Sequence, residues 1–541
     1  MNSGAVEAPP PQAFPVDNIP ITDRWRLAET LKLVKPRWFD PYNQNTYKGD
    51  RPIFGTNDWF LSLTAISDTL VEPRSFPVPV AGNTSSHPGT NNTFSRVDSV
   101  VAAQTVIAGA SLIKGQTAFK PQELEMRLTL AYNYNSARIS ERQILNIASS
   151  KEPHRTDDFL GVQEAFVEYH IRNVSDRYDF DAVRAGIQPF TTDFRGFLFQ
   201  DNQLGLRFFG NRDNNRYQYN LAVFQRLEKD TNSGLNDVGA PTRDDTVFVA
   251  NLYRQDLPLP GLTSQVTVVY DRDREKDKTH FDKNGFPVRP ALIGNDRTRD
   301  YDVVYLGYNA DGHIGRVNIT ASAYGAMGED RNNIFTGKPA DIRSYFLAVE
   351  PSMDFSWARI RLSGLYASGD SKPYDNTETG FDAIQENPQF AGADTSYWIR
   401  QSIPFIGGGL VSINGRNGVL NSLRSSKDEG QSNFNNPGTV LLGMGGDFDL
   451  TPTLRVTTNV NYLWFANTTV VETLRQQGSI PTDLGLDYSA AVTWRPMMTQ
   501  NVVFRAAAAM FEPGDGFRNL YVAQGVDSRF YSLLFNAILS F

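Results

Sequence analysis

The sequence predicts an all-β protein: a transmembrane antiparallel up-and-down β-barrel of about 18 strands over residues 58–541. Three observations predict it. Apolar residues recur at every second position, the period of a strand with two unlike faces. Very short polar turns alternate with long Asn/Asp/Gly-rich stretches, the asymmetry of barrels that cross a bilayer. The carboxyl-terminal stretch "FYSLLFNAILSF" (530–541) alternates too, with Tyr531, Leu533, Phe535, Ala537, Leu539 and Phe541 on one face. A last strand that closes against the first leaves no free sheet edge.

The totals agree once alternation is allowed for. The 541 residues are 40% hydrophobic and 21% charged, with a mean hydropathy of −0.39. No apolar run reaches the roughly 18 residues of a spanning helix. A spanning barrel has the same averages, because its lipid-facing residues are diluted by lumenal ones. The chain has no cysteine, which excludes disulfides, thiol nucleophiles and cysteine-held metals. A net charge of −8 argues against nucleic acid as a partner. The amino terminus shows neither a basic n-region nor an apolar h-region, so the expectation is an outer-membrane protein whose targeting segment has been removed.

Residues 1–57 form a separate amino-terminal segment, periplasmic and partly extended. The first 20 are rich in Pro and Ala, 23–34 has weak helical spacing, and 36–55 is aromatic and broken by proline. That segment reads either as a linker packing locally or as a plug or docking piece, which leaves room for a periplasmic or extracellular protein partner.

From Trp59 the period is two. The first strands are expected at about 58–68 and 98–117. "QELEMRLTLAYNYN" (122–135) puts Leu124, Met126, Leu128, Leu130, Tyr132 and Tyr134 on one face. Short periplasmic turns are expected at 120–122, 172–177, 210–215, 257–261, 310–313, 351–354, 451–453 and 496–500. Long extracellular loops are expected at 274–298, 328–341, 368–437, 467–482 and 513–528. Tyr and Trp near strand ends suit interfacial girdles against outer-membrane lipid.

A basic residue facing lipid at mid-depth costs roughly 2–4 kcal/mol, which fixes the parity of each strand. The lumen then collects Arg127, Arg184, Arg207, Arg216, Arg226, Arg316, Arg359, Arg361, Arg455, Arg495 and Arg505. The acids of that parity are Glu125, Glu164, Glu168, Asp447 and Asp487. "WARIRLSG" (357–364) opposes Arg359 and Arg361 to Ile360 and Leu362. Two readings stand side by side. In one the guanidinium forks pass an anion from site to site; in the other they pair with lumenal carboxylates and satisfy a polar interior. "QPFTTDFRGFLFQDN" (188–202) is the expected constriction, with Pro189, Phe190, Asp193, Arg195 and Phe197, and 368–437 is a lid or a second inward fold.

Other chemistry finds no footing. The five histidines lack ligand spacing, and no metal or cofactor is expected. No Gly-rich stretch has the lysine and strand–helix setting of a phosphate loop. "DRDREKDKTHFDKNG" (271–285) lacks the spacing of a calcium loop. No acid/base pair stands out, so an enzyme is not expected.

The stretch "QEAFVEYHI…FDAVRAGIQPF…DNQLGLRFFGNRDNNRYQYNLAVFQRL" (163–227) resembles the alginate-export family of Gram-negative outer-membrane barrels. The likeness lies in Glu164 to Tyr169, then Arg184, Gly186 and Gln188, and again in "NVVFRAAAAMFEPGDGFRN" (501–519). It implies a barrel with a basic lumen that exports an acidic polysaccharide. Ile187 replaces an arginine usual there, and Gly and Ala dilute the lumenal set over 438–449 and 499–512. The expectation is therefore a channel for an anionic solute or acidic polysaccharide. The alternative is a scaffold barrel that holds a partner protein and passes no solute.

Overall fold

The computed structural model describes all residues except 1–30, 34–39, 41–44, 57, 81–87, 90–93, 116–120, 178, 277, 290–296, 401–427 and 523–528. Most of the expected amino-terminal segment, and residues 401–427 of the expected lid, lie outside the described residues.

Apolar/polar alternation produces one sheet of 20 strands, two of them short additions. The other 18 form the wall. They are β1 (Trp59–Pro79), β2 (Phe94–Lys114), β3 (Leu124–Ile139), β4 (His154–Asn173), β5 (Phe180–Thr191) and β6 (Gln200–Arg212). Then follow β7 (Tyr217–Gln225), β8 (Asp245–Arg254), β9 (Leu262–Asp273), β10 (Tyr301–Ile314), β11 (Val317–Asp330) and β12 (Ala340–Phe355). The last six are β13 (Ala358–Ala367), β14 (Thr439–Thr451), β15 (Leu454–Trp464), β16 (Asp483–Trp494), β17 (Val502–Pro513) and β18 (Phe530–Ser540). Each pairs antiparallel with the next, and β18 returns to β1 from Ile66–Ser540 to Arg74–Ser532. The barrel is closed.

The two ends differ as the sequence predicts. At one end the connections are short, down to 315–316, 356–357 and 452–453; at the other they include 226–244, 274–300, 368–438, 465–482 and 514–529. Three expectations need correction. The turns expected at 310–313 and 351–354 lie inside β10 and β12. Pro351 is tolerated because the ladder to β13 jumps from Val349–Gly364 to Ser352–Arg361, so its missing N–H falls in the gap. β1 runs on past 68 to Pro79. The ladder to β18 skips Pro73, and beyond Arg74 it makes no further pairs, so Pro77 and Pro79 lie on an unpaired edge.

Parity decides the faces. Met126, Leu128, Tyr132 and Tyr134 on β3, Leu347 and Val349 on β12, and Leu533, Phe535 and Leu539 on β18 are exposed and face outward. Their neighbours Asn133, Asn135, Glu350 and Ser532 are buried inside. The apolar band surrounds the wall, as lipid requires. Among the described residues no helix is long and apolar enough to cross a membrane.

The seam has one further part. β18 stops above the foot of β1, and the short strand Lys48–Pro52 pairs with that foot, Lys48 opposite Ser62 and Pro52 opposite Phe60. Phe541 exchanges backbone hydrogen bonds with Ala65 at 2.8 and 3.2 Å. The Lys48 ammonium sits 4.5 Å above the Phe541 ring and donates to the Leu63 carbonyl at 2.8 Å. Deleting residues 1–52 should bare the foot of β1 yet leave the 18-stranded wall. The expected result is a lower temperature of conversion from the compact to the unfolded band in heat-modifiable gel mobility.

Candidate functional site: an arginine wall facing two inward loops

Two loops of the long-loop end turn into the barrel. The first, Thr192–Phe199, follows β5, which continues through Pro189 and the buried Phe190 to Thr191. The Asp193 carboxylate accepts the backbone N–H groups of Arg195, Gly196, Phe197 and Leu198 at 2.7–3.2 Å, and the Tyr324 hydroxyl donates to it at 2.9 Å. One buried carboxylate thus gathers the loop, and these N–H donors stabilise its charge. Gly196 has φ +75°, and a Cβ there would lie 2.7 Å from the Asn387 carbonyl oxygen, so glycine is required.

The second loop zips onto the first. Leu198 O accepts from Ile384 and Gln385 N–H, Gly196 O from Asn387, and Arg195 O from Gln389, at 2.8–3.1 Å. Phe197 packs between Phe346 and Phe390, with ring centroids 5.0 and 5.3 Å away. The loop continues across the lumen: Asn459 and Asn461 of β15 donate to Ala391 O, and Asp487 of β16 accepts from Ser396, Tyr397 and Trp398. The Tyr397 hydroxyl reaches Ser75 O on β1 at 2.6 Å.

Between these loops and the strands β12–β18 lies a cavity of about 440 Å³. Arg195, Arg359, Arg361, Arg455, Arg495 and Arg505 line it, with Glu350, Asp394, Asp447, Thr457, Thr493 and Asn536. The register explains the wall. Arg455 is directly opposite Thr493, Thr493 opposite Arg505, and Arg505 opposite Asn536, so one row of inward side chains crosses β15, β16, β17 and β18. Above it Arg361 is opposite Gly445. A Cβ at Gly445 would meet the Arg361 guanidinium at 2.7 Å. The glycine that seems to dilute the lumenal set makes room for the arginine to reach Asp447 at 2.6 Å.

Most of the arginines around the cavity have a carboxylate partner. Arg359 pairs with Asp354, Arg455 with Asp449, Arg505 with Asp394 at 3.1 Å, and Arg195 with Glu350 at 3.7 Å. Arg495 donates to Gln500, and no carboxylate pairs with it among the described residues. The Arg359 and Arg455 side chains stay 50% and 42% exposed, so their pairs contribute under about 1 kcal/mol each and leave guanidinium edges open to the lumen.

The remaining predicted arginines lie elsewhere. Arg127 pairs with Glu125 and Glu164, and Arg184 with Glu168, on the wall of β3–β5. Arg207 lies over Phe209 and Phe190 at 4.4 and 5.4 Å and donates to Asn220. Arg226 is buried on Asp245 and Gln385 under the long loops. Arg216 and Arg316 sit in the turns 213–216 and 315–316, at the short-turn rim and away from the cavity. Sequence reasoning missed Glu350, Asp354, Asp394 and Asp449. Asp354 and Asp449 had a signal: each faces its arginine across a tight turn. Asp394 had none, being placed by a loop.

Above the cavity the long-loop end is filled by buried ion pairs. Arg243 and Arg289 share Glu275 at 2.9 and 3.0 Å, and Arg289 also holds Glu228. The buried Glu429 faces Glu228, Asp282 and Asp428, and accepts from Thr231 at 3.0 Å, while Arg289 donates to its backbone carbonyl. Burial, with those acids, raises its carboxyl from 4.5 to about 8. Burial likewise raises Asp282 to about 6, against the N–H groups of Phe286, Asn284 and Gly285.

No family model matches the chain, and no curated protein matches it. The likeness to alginate exporters therefore rests on the sequence motifs alone. Among solved structures, OccK7 (OpdD) of Pseudomonas aeruginosa is similar at a TM-score of 0.47 and 10% identity, over 88% of this chain and 98% of that one. OccAB1 of Acinetobacter baumannii is similar at 0.46 and 9% identity, over 92% and 99%. A BenF-like porin of Pseudomonas fluorescens Pf-5 is similar at 0.46 and 8% identity, over 89% and 98%.

Two predictions follow from this geometry. Gly445→Ala should cost roughly 1–3 kcal/mol, since the buried ends of Arg361 and Asn459 must both shift. It should lift Arg361 off Asp447, seen as a changed anion/cation permeability ratio with unchanged heat-modifiable mobility. For Glu429, the folded state holds a proton that the unfolded chain releases near 4.5. Its contribution to stability is fully present below that pH and is lost as the pH rises to about 8. Glu429→Gln should make the fall in stability between about 4.5 and about 8 shallower. Thermal unfolding across pH reads both.

Proposed function

We propose that the chain is an outer-membrane channel for anionic solutes, with the arginine wall as its conducting face. The observation that carries this reading is the inward row Arg455–Thr493–Arg505–Asn536 beside Arg359, Arg361 and Arg495, facing two loops that narrow the lumen. A guanidinium half-engaged by a fixed carboxylate can exchange it for a passing carboxylate or phosphate. Binding is then weak enough for release, and several such sites in series suit conduction. The loops 192–199 and 368–400 act as the constriction. A cavity of about 440 Å³ suits one small anion; an acidic polysaccharide would need the second loop to withdraw. The zipped loops and buried ion pairs also favour a second reading, a closed scaffold barrel.

Single-channel recording in a planar bilayer with asymmetric KCl tests this. Anion-selective openings are expected. Arg505→Ala should shift the reversal potential toward cations, and Asp394→Asn, which frees Arg505, should shift it further toward anions. Silent insertion of a barrel shown folded by its gel mobility would leave the scaffold reading in place of the channel.

A further inference from the structure

On the lipid-facing side of β9–β11, cationic residues cluster just beyond the apolar band at the long-loop end. The band finishes there with Tyr270 stacked on Phe248, ring centroids 5.7 Å apart, the position of an aromatic girdle. The next outward residue on β9 is Arg272; its neighbours Asp271 and Asp273 are fully buried inside. Directly opposite Arg272 on β10 stands Asp302, and opposite Asp302 on β11 stands Glu329.

Asp302 is a hub. It accepts from the Tyr270 hydroxyl at 2.6 Å, from Arg274 at 2.6 and 2.7 Å, and from Arg331 at 2.5 Å. Arg274 is consumed by the fold, since its other nitrogen donates to the carbonyls of Asp273 and Tyr301. Arg331 is exposed, with further contacts to Asp300 at 3.4 Å and Glu329 at 3.7 Å that leave part of its guanidinium edge open to solvent. Lys276 stands 3.8 Å from Asp300 and is 55% exposed. Arg272 is exposed and has no hydrogen bond or ion pair among the described residues. Among the described residues three acids thus hold three cations, and Arg272 beside them keeps its N–H donors free on the outer surface.

We propose that Arg272, Arg331 and Lys276 bind the phosphate of a lipid head group in the leaflet at the long-loop end. A guanidinium fork matches phosphate oxygens two at a time. Asp302 holds the cluster together before the lipid arrives, so little ordering remains to oppose binding. The height of the site fits a head group rather than a lumenal solute, because the same strands carry exposed acyl-facing side chains immediately below: Val266 and Val268 on β9, Leu306 on β10 and Met327 on β11. This site is on the opposite face of the wall from the arginine lumen and does not depend on what crosses it.

The test uses the full chain in detergent, with diphosphoryl lipid A as the probe and native mass spectrometry to count bound lipid. Wild-type protein should retain it. Arg272→Ala with Arg331→Ala should weaken retention about tenfold or more, while Arg316→Ala at the opposite rim should not change it. Fully dephosphorylated lipid A should bind wild type as weakly as diphosphoryl lipid A binds the double variant. Gel mobility confirms that each variant is folded. Equal retention by wild type and double variant overturns the proposal. So does equal binding of the dephosphorylated lipid, and so does inorganic phosphate displacing the lipid, which would make the site one for a free anion.

Discussion

No backbone N–H or C=O can be left open in hydrocarbon, and the architecture depends on that constraint. It is met along the wall by strand pairing and at the seam by β18 meeting β1. The seam is also where the ladder is most irregular, with a skip at Pro73 and a free upper edge beyond Arg74. The upper edge is met from inside, and the foot of β1, below the end of β18, is met from the amino-terminal side. Tyr397 of the inward loop bonds to Ser75 O, and Lys48–Pro52 pairs with the foot of β1. Interior loop and amino-terminal strand therefore have structural duties at the seam as well as their own.

Inside the wall, the packing problem is that of a polar core. Aromatic residues of the two loops supply an apolar cluster around Phe197, Phe346, Phe381 and Phe390. The charged residues sort by depth. Toward the long-loop end, Arg243, Glu275 and Arg289 are fully enclosed; removing one partner there would leave an uncompensated buried charge and cost roughly 3–5 kcal/mol. Around the cavity the pairs Arg359–Asp354 and Arg455–Asp449 are half-exposed and cheap to open. The same residue types thus form rigid packing in one place and exchangeable contacts in the other, and solvent access makes the difference.

Much of this was legible in the sequence. Lipid imposes alternation, so the parity of Arg359, Arg361, Arg455 and Arg505 could be read from their apolar neighbours. Loop asymmetry is a matter of composition and spacing, so five long connections were located to within a few residues, while 226–244 was missed. The extent of β1 and the run of β12 through Pro351 were not legible, because a missing N–H ends a strand only where the partner ladder needs it. The partition of arginines between rim, buried cap and cavity was not legible. Arg216 and Arg316 have the parity of lumenal residues yet lie in turns, and Asp394 enters the cavity through a fold-back that no local pattern encodes.

β4 contains an extra residue: Thr129 pairs with Glu164 and Leu130 with Val162, leaving Gln163 as a bulge. Above it odd-numbered residues such as Asp157 and Gly161 face in; below it Glu164, Phe166 and Glu168 do. The bulge is a phase shift in an otherwise strict two-beat code. It lets one strand read its upper half in one frame, where Gly161 gives the loop 226–244 room, and its lower half in the other, where carboxylates meet Arg127 and Arg184. Without the bulge, Gln163 would take a place in the alternation and turn Glu164 and Glu168 toward the lipid. The bulge therefore absorbs one residue of length that a regular strand could accommodate only by exchanging the faces of its lower half.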